Sequence, residues 1–211
     1  MANIVIIDYG MGNVHSVYKA LDKILDKKSH VKISNSIDEI KKSSHIVFPG
    51  QGAVSECMLN ISKQLDVMEF KNIINEKPFL GICMGLQVLM TSSEENNGID
   101  CLDIIDGKAC SFDKRIEGSY KIPHMGWSEV IQTQEHPIWA NISDKSFFYF
   151  VHSYFVDIIE SNNILSKTSY GLDFTSSLFK NNIVAVQFHP EKSSSNGLRL
   201  LENFTKWDGQ I

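Results

Sequence analysis

Pro78-Phe79-Leu80-Gly81-Ile82-Cys83-Met84-Gly85-Leu86-Gln87 reads as a short apolar strand that turns sharply at a cysteine and enters a helix. Gly-x-Cys-x-Gly at a strand-to-helix junction is a nucleophile elbow with cysteine in place of serine. The flanking glycines, Gly81 and Gly85, permit the tight turn that lifts one side chain above a sheet. A helix running from Met84 through Met90 would aim free N–H groups and its positive end at the sulfur, favouring the reactive thiolate. A buried structural cysteine at a glycine-rich strand end is the competing reading.

The first half of the chain repeats this strand-then-helix pattern. Residues 3–8 form an apolar strand, and Val17, Ala20, Leu21, Ile24 and Leu25 follow with the spacing of one helix face. Residues 31–33 read as a second strand, and residues 36–42 as a helix with Ser36 as N-cap and Glu39 as its capping-box partner. Residues 45–48 form a third strand, expected to stop at Pro49-Gly50. Helical patterns cover residues 54–65 and 66–75. Such alternation predicts an α/β fold whose parallel core sheet carries helices on both faces.

The second half reads as strands at residues 108–112, 129–131, 147–155, 164–168, 175–179 and 183–188, several in hairpins. An amphipathic helix with Leu200, Leu201, Phe204 and Trp207 closes the chain. The parallel core is thus extended by antiparallel strands. A length of 211 residues suits a single domain over residues 1–211. Net charge is −5 and no basic stripe occurs, so nucleic acid is not an expected partner. There is no signal-peptide pattern and no apolar run of membrane-spanning length, so no membrane association is expected. The four cysteines form no CxxC pair. A reduced, cytoplasmic protein without metal or cofactor is expected.

Three further segments carry chemistry. Residues 184–188 form a strand that delivers His189-Pro190-Glu191 at its end. A cysteine nucleophile needs an imidazole to move protons and a carboxylate to orient it, and His189 with Glu191 supplies both. Phe48-Pro49-Gly50-Gln51-Gly52-Ala53 is a glycine loop able to present an N–H to an oxyanion beside that of Met84. The segment from Asp8 to Asn13 has Gly10 and Gly12 but His15 where a dinucleotide fingerprint needs glycine, so it reads as a turn at the carboxyl edge of the sheet. His124 and His152 read as structural.

Residues 81–87 and 187–191 resemble the class I, or triad, glutamine amidotransferases. Residues 8–13, 92–95, 123–127, 148–154 and 189–193 extend that resemblance to the amidotransferase subunits of imidazole glycerol phosphate synthase, over essentially the whole chain. The resemblance implies a flavodoxin-like amidotransferase fold and hydrolysis of L-glutamine to glutamate and ammonia. It implies Cys83, His189 and Glu191 as the triad, Gly52 and Met84 as oxyanion donors, and Gln87, Glu95, Ser153 and Tyr154 around the glutamine. It also implies a heterodimer with a (β/α)8-barrel cyclase, with Asn13, Trp127, Tyr149 and Lys192 at the interface and ammonia channelled into histidine biosynthesis. Gln51 stands where the family usually carries a β-branched apolar residue, and Met84 where leucine is usual. Three alternatives stay open: a barrel partner that amidates a surface-glycan sugar, a non-catalytic interaction module, and a peptide-cutting cysteine hydrolase.

Overall fold

The computed structural model describes residues 2–10 and 12–210. Met11, inside the segment from Asp8 to Asn13, lies outside the described residues. The chain begins with β1 (Asn3–Ile7), α1 (Val14–Ile24), β2 (His30–Ser34), α2 (Ile37–Lys42), β3 (His45–Gly50), α3 (Val54–Gln64), α4 (Val67–Ile74) and β4 (Phe79–Cys83). It turns through α5 (Met84–Gln87) into β5 (Met90–Ser93), β6 (Ile99–Asp100) and β7 (Ile105–Ser111). Then come β8 (His124–Gln132), β9 (Ser146–His152), β10 (Tyr154–Ile158), β11 (Ile164–Ser169), β12 (Asp173–Lys180), β13 (Ile183–Val186) and α6 (Ser194–Lys206).

The described residues form one 13-stranded sheet with the main order β2-β1-β3-β4-β13-β12-β10-β7-β5-β6. The neighbours from β2 to β13 are parallel, β12 turns antiparallel to β13, and β8 and β9 extend a branch from β11. The period of two along β1 explains why helices cover both faces. Ile4 and Ile6 pack with Val17 and Leu21 of α1 and Leu200, Leu201 and Phe204 of α6. Val5 and Ile7 pack on the other side with Cys57 and Ile61 of α3 and Phe70 and Ile74 of α4. Burying each such aliphatic side chain is worth roughly 1.5–3 kcal/mol, so a run buried on both sides anchors its strand firmly.

Four expectations change. Pro49 and Gly50 do not end β3; they remain paired with Ile82 and Cys83 of β4. The helix after Cys83 stops at Gln87 instead of reaching Met90. The carbonyls of Val88 and Leu89 instead accept from the N–H groups of Leu102, Ile104 and Ile105, and the chain enters β5. The strand expected at residues 147–155 breaks at Ser153 into β9 and β10. The capping box on α2 does not form, because the Glu39 carboxylate accepts from Lys32 and Ser34 instead of from the Ser36 backbone.

Candidate active site

β3, β4 and β13 lie side by side and parallel, so their carboxyl ends converge. The loop at residues 50–53, the elbow at Cys83 and the His189 turn therefore meet at one sheet edge, as open parallel sheets require of their sites.

Cys83 has φ 54° and ψ −103°, a sparsely populated conformation for a residue with a Cβ. Its flanking glycines are demanded by close approach rather than by their own torsions. A Cβ on Gly85 would stand 2.0 Å from the Phe48 carbonyl oxygen, and one on Gly81 would stand 2.6 Å from the Gly85 oxygen. α5 is a single turn, so the positive end facing Cys83 comes from local N–H groups rather than from a long helix dipole.

His189 follows β13, and its side chain is 2% exposed while that of Glu191 is 1% exposed. Nδ1 of His189 lies 2.8 Å from Glu191 Oε1, and Nε2 has no hydrogen-bond partner. Burial pushes the His189 pKa down. The proximity of Cys83 and the hydrogen bond to Glu191 push harder the other way and leave the pKa raised. The imidazole is thus fixed on one nitrogen and free on the other, beside the sulfur. The turn is tied to β9: the His189 N–H donates to the Tyr149 carbonyl, Ser193 Oγ donates to the His189 carbonyl, and Tyr149 N–H donates to Ser193 Oγ.

A cleft of about 450 Å³ opens over Cys83 and is walled by Gly52, Met84, Gln87, Glu95, Ser153 and Tyr154. All the residues expected around the oxyanion and the glutamine therefore line one space, together with Gln51 and Lys192. Two of them also hold the walls. Glu95 accepts a hydrogen bond from the N–H of Val54 at the start of α3, which pins the loop at residues 50–53. Gln87 donates to the Tyr154 carbonyl at 3.0 Å.

Of the residues expected at a partner surface, Trp127 and Tyr149 face each other across β8 and β9 with ring centroids 6.1 Å apart. The Lys192 ammonium stands 6.0 Å over the Tyr149 ring. Asn13 opens α1, which packs against the turn carrying Lys192.

Sequence reading missed Gln187, whose amide nitrogen lies 3.6 Å from Cys83 Sγ. The available signal was strand periodicity, since positions 187 and 189 point the same way along an extended segment. It also left His124 and His152 as separate structural residues, whereas they form a pair. His152 Nδ1 meets the Tyr154 carbonyl at 2.8 Å, His152 Nε2 meets His124 Nδ1 at 2.9 Å, and His124 Nε2 meets Ser128 Oγ at 2.9 Å. The carbonyl can only accept, so His152 donates from Nδ1; with both rings neutral, His152 Nε2 accepts and His124 donates from Nδ1. Burial holds the His152 pKa down at about 3 and that of His124 at about 4.

The family described as glutamine amidotransferase class-I matches residues 5–207. The chain belongs to the class I glutamine amidotransferases. It is 47% identical over 207 residues to the imidazole glycerol phosphate synthase subunit HisH of Hydrogenovibrio crunogenus, covering 98% of this chain and 97% of that one. It is 44% identical to the protein of the same name from Pseudomonas syringae, with 100% of both chains covered. The fold matches a crystal structure described as glutamine amidotransferase, with a TM-score of 0.71 at 14% identity over 96% of this chain and 97% of that one. It also matches the structure of PurLQS from Thermotoga maritima, with a TM-score of 0.71 at 13% identity over 98% of this chain and 99% of that one. The protein is a glutamine amidotransferase of the HisH type, and the interaction-module and peptide-hydrolase alternatives fall away.

Proposed function

We propose that Cys83, His189 and Glu191 form the triad with which this protein, in one amidotransferase domain, hydrolyses L-glutamine to glutamate and ammonia. Cys83 Sγ attacks the side-chain amide carbon, and the N–H groups of Gly52 and Met84 hold the oxyanion. His189 gives its Nε2 proton to the departing ammonia and then takes one from the water that opens the glutamyl thioester. Glu191 keeps Nδ1 occupied and stabilises the imidazolium. Gln87, Glu95, Ser153 and Tyr154 enclose the glutamine. The observation that carries this reading is the His189 ring, buried and tethered to Glu191 at 2.8 Å, with its other nitrogen unpartnered beside Cys83.

The protein is the HisH glutaminase of imidazole glycerol phosphate synthase, an enzyme of histidine biosynthesis. The names of its relatives support that pathway over the glycan-amidating alternative. Ammonia in bulk water is largely protonated and no longer nucleophilic, so it must pass directly to its acceptor. We propose a heterodimer with a (β/α)8-barrel cyclase, docked on the surface that carries Asn13, Trp127, Tyr149 and Lys192 beside the cleft. A cytoplasmic location agrees with four free cysteines. Among the described residues no helix is long and apolar enough to cross a membrane.

The test is synthase turnover by the complex of Cys83→Ala with its cyclase. Glutamine-dependent synthesis is abolished, whereas synthesis from added ammonium salts persists. Loss of both activities in a correctly assembled complex would contradict the division of labour.

A further inference from the structure

The strand that delivers His189 brings a second polar side chain to the nucleophile. Gln187 is fully buried, and its amide nitrogen lies 3.6 Å from Cys83 Sγ. The two ends of a carboxamide are assigned from their partners, and here the partners fix both. The Tyr154 backbone carbonyl can only accept. Gln87 places its Nε2 3.0 Å from that carbonyl, and the same nitrogen lies 3.2 Å from Gln187 Oε1. With the oxygen end of Gln187 receiving Gln87, its NH₂ end is left facing the sulfur.

The sulfur therefore sits between opposing influences. The Val151 carbonyl, 3.9 Å from Sγ, accepts from a thiol and favours the protonated form. An amide N–H favours the thiolate, because it binds a charged sulfur more strongly than a neutral one. α5, a single turn, supplies little dipole of its own.

We infer that Gln187 is a catalytic residue that donates an N–H to Cys83 Sγ and stabilises its thiolate, oriented by the chain from the Tyr154 carbonyl through Gln87. This rests on Cys83 being the nucleophile. The same hydrogen bond serves twice: it stabilises the attacking thiolate and again the thiolate expelled when water opens the thioester. No proton leaves Gln187 in either step.

The experiment is the pH profile of Cys83 alkylation by iodoacetamide on the full chain. Labelling is read on the Cys83 peptide, with Cys83→Ala as the control for Cys57, Cys101 and Cys110. Gln187→Leu keeps most of the volume and removes the donor. Its alkylation midpoint should rise by about one pH unit, the size expected for a hydrogen bond to a charged group. Glutaminase kcat in the complex should fall about tenfold or more, with KM changed by less than about threefold. An unshifted midpoint with lowered kcat would overturn the inference, leaving Gln187 a packing residue. If the leucine variant does not fold, Gln187→Glu is read instead. Its carboxylate must raise the midpoint further, and an unshifted midpoint again overturns the inference. Full glutaminase activity in Cys83→Ala would instead sink the nucleophile assignment, a result separate from the position of the midpoint.

Discussion

β1, β3 and β4 are buried on both faces, whereas the β8–β9 hairpin leaves Met125, Trp127 and Phe147 at 62%, 50% and 50% exposure. Both regions build walls of the same cleft. The parallel strands do so with apolar packing so tight that backbone touches backbone, as at Gly85 and Phe48. The hairpin and the neighbouring β10 do so with side-chain hydrogen bonds, from Ser128 through His124 and His152 to Tyr154. Tight packing leaves Cys83 one position. A hydrogen-bonded wall with an exposed apolar outer face is better suited to respond to a partner.

The largest effect should come from the tight side. Gly85→Ala forces a Cβ into the Phe48 carbonyl and should cost about 3 kcal/mol or more, with loss of glutaminase activity. Urea unfolding measures it, and a loss below about 1 kcal/mol would show that the elbow has slack.

His124→Phe attacks the hydrogen-bonded wall while keeping an aromatic ring between Phe150 and Tyr170, on which His124 stacks at 4.9 and 4.0 Å. It leaves the buried Nε2 of His152 without a donor, for an expected cost of about 1–3 kcal/mol. Because His152 holds the Tyr154 carbonyl, the KM for glutamine should rise more than kcat falls. Unchanged KM would show that the pair only fills space.

Trp127→Ala should be smallest in stability, within about 0.5 kcal/mol, because half of the side chain is already in water. It should nonetheless weaken binding of the cyclase by about tenfold or more if this patch is the docking surface. Titration calorimetry with wild-type affinity would move the interface elsewhere.

The pH response tests the coupling between His189 and Cys83. The His189 pKa is raised chiefly against burial, with Cys83 the leading upward cause. His189 therefore keeps its proton at neutral pH in the parent. In Cys83→Ala the main upward cause is gone and burial remains, so the pKa must fall. Histidine NMR reads the shift; an unmoved or higher value would detach His189 from Cys83.

The same contrast explains what the sequence reveals. β1, β3 and β4 are legible because a strand buried on both faces reads as an unbroken apolar run. The elbow is legible because Gly81 and Gly85 flank Cys83 at the end of an apolar run, whereas the contact with Phe48 that demands Gly85 comes only with the fold. The end of α5 is hidden, since Val88 and Leu89 are drawn off by N–H groups at residues 102–105, a pairing local periodicity does not contain. β5 is hidden for a related reason: Thr91, Ser92 and Ser93 give no strong strand signal. Cys83, His189 and Glu191 stand out by residue type and order, whereas the contact of Gln187 with Cys83 depends on where β13 lies beside β4. The role of Glu95 at the start of α3 likewise exists only once residues 54 and 95 are brought together.

The proposed function turns on a covalent bond between Cys83 and the side-chain carbonyl carbon of glutamine. The most direct measurement is intact and peptide mass spectrometry of the cyclase-bound chain, acid-quenched during turnover of glutamine. The peptide carrying Cys83 should gain the mass of one glutamyl group, lost on base treatment and absent in Cys83→Ala. Turnover with no adduct in the parent under conditions where thioester hydrolysis limits the rate, or an adduct on another residue, would contradict it.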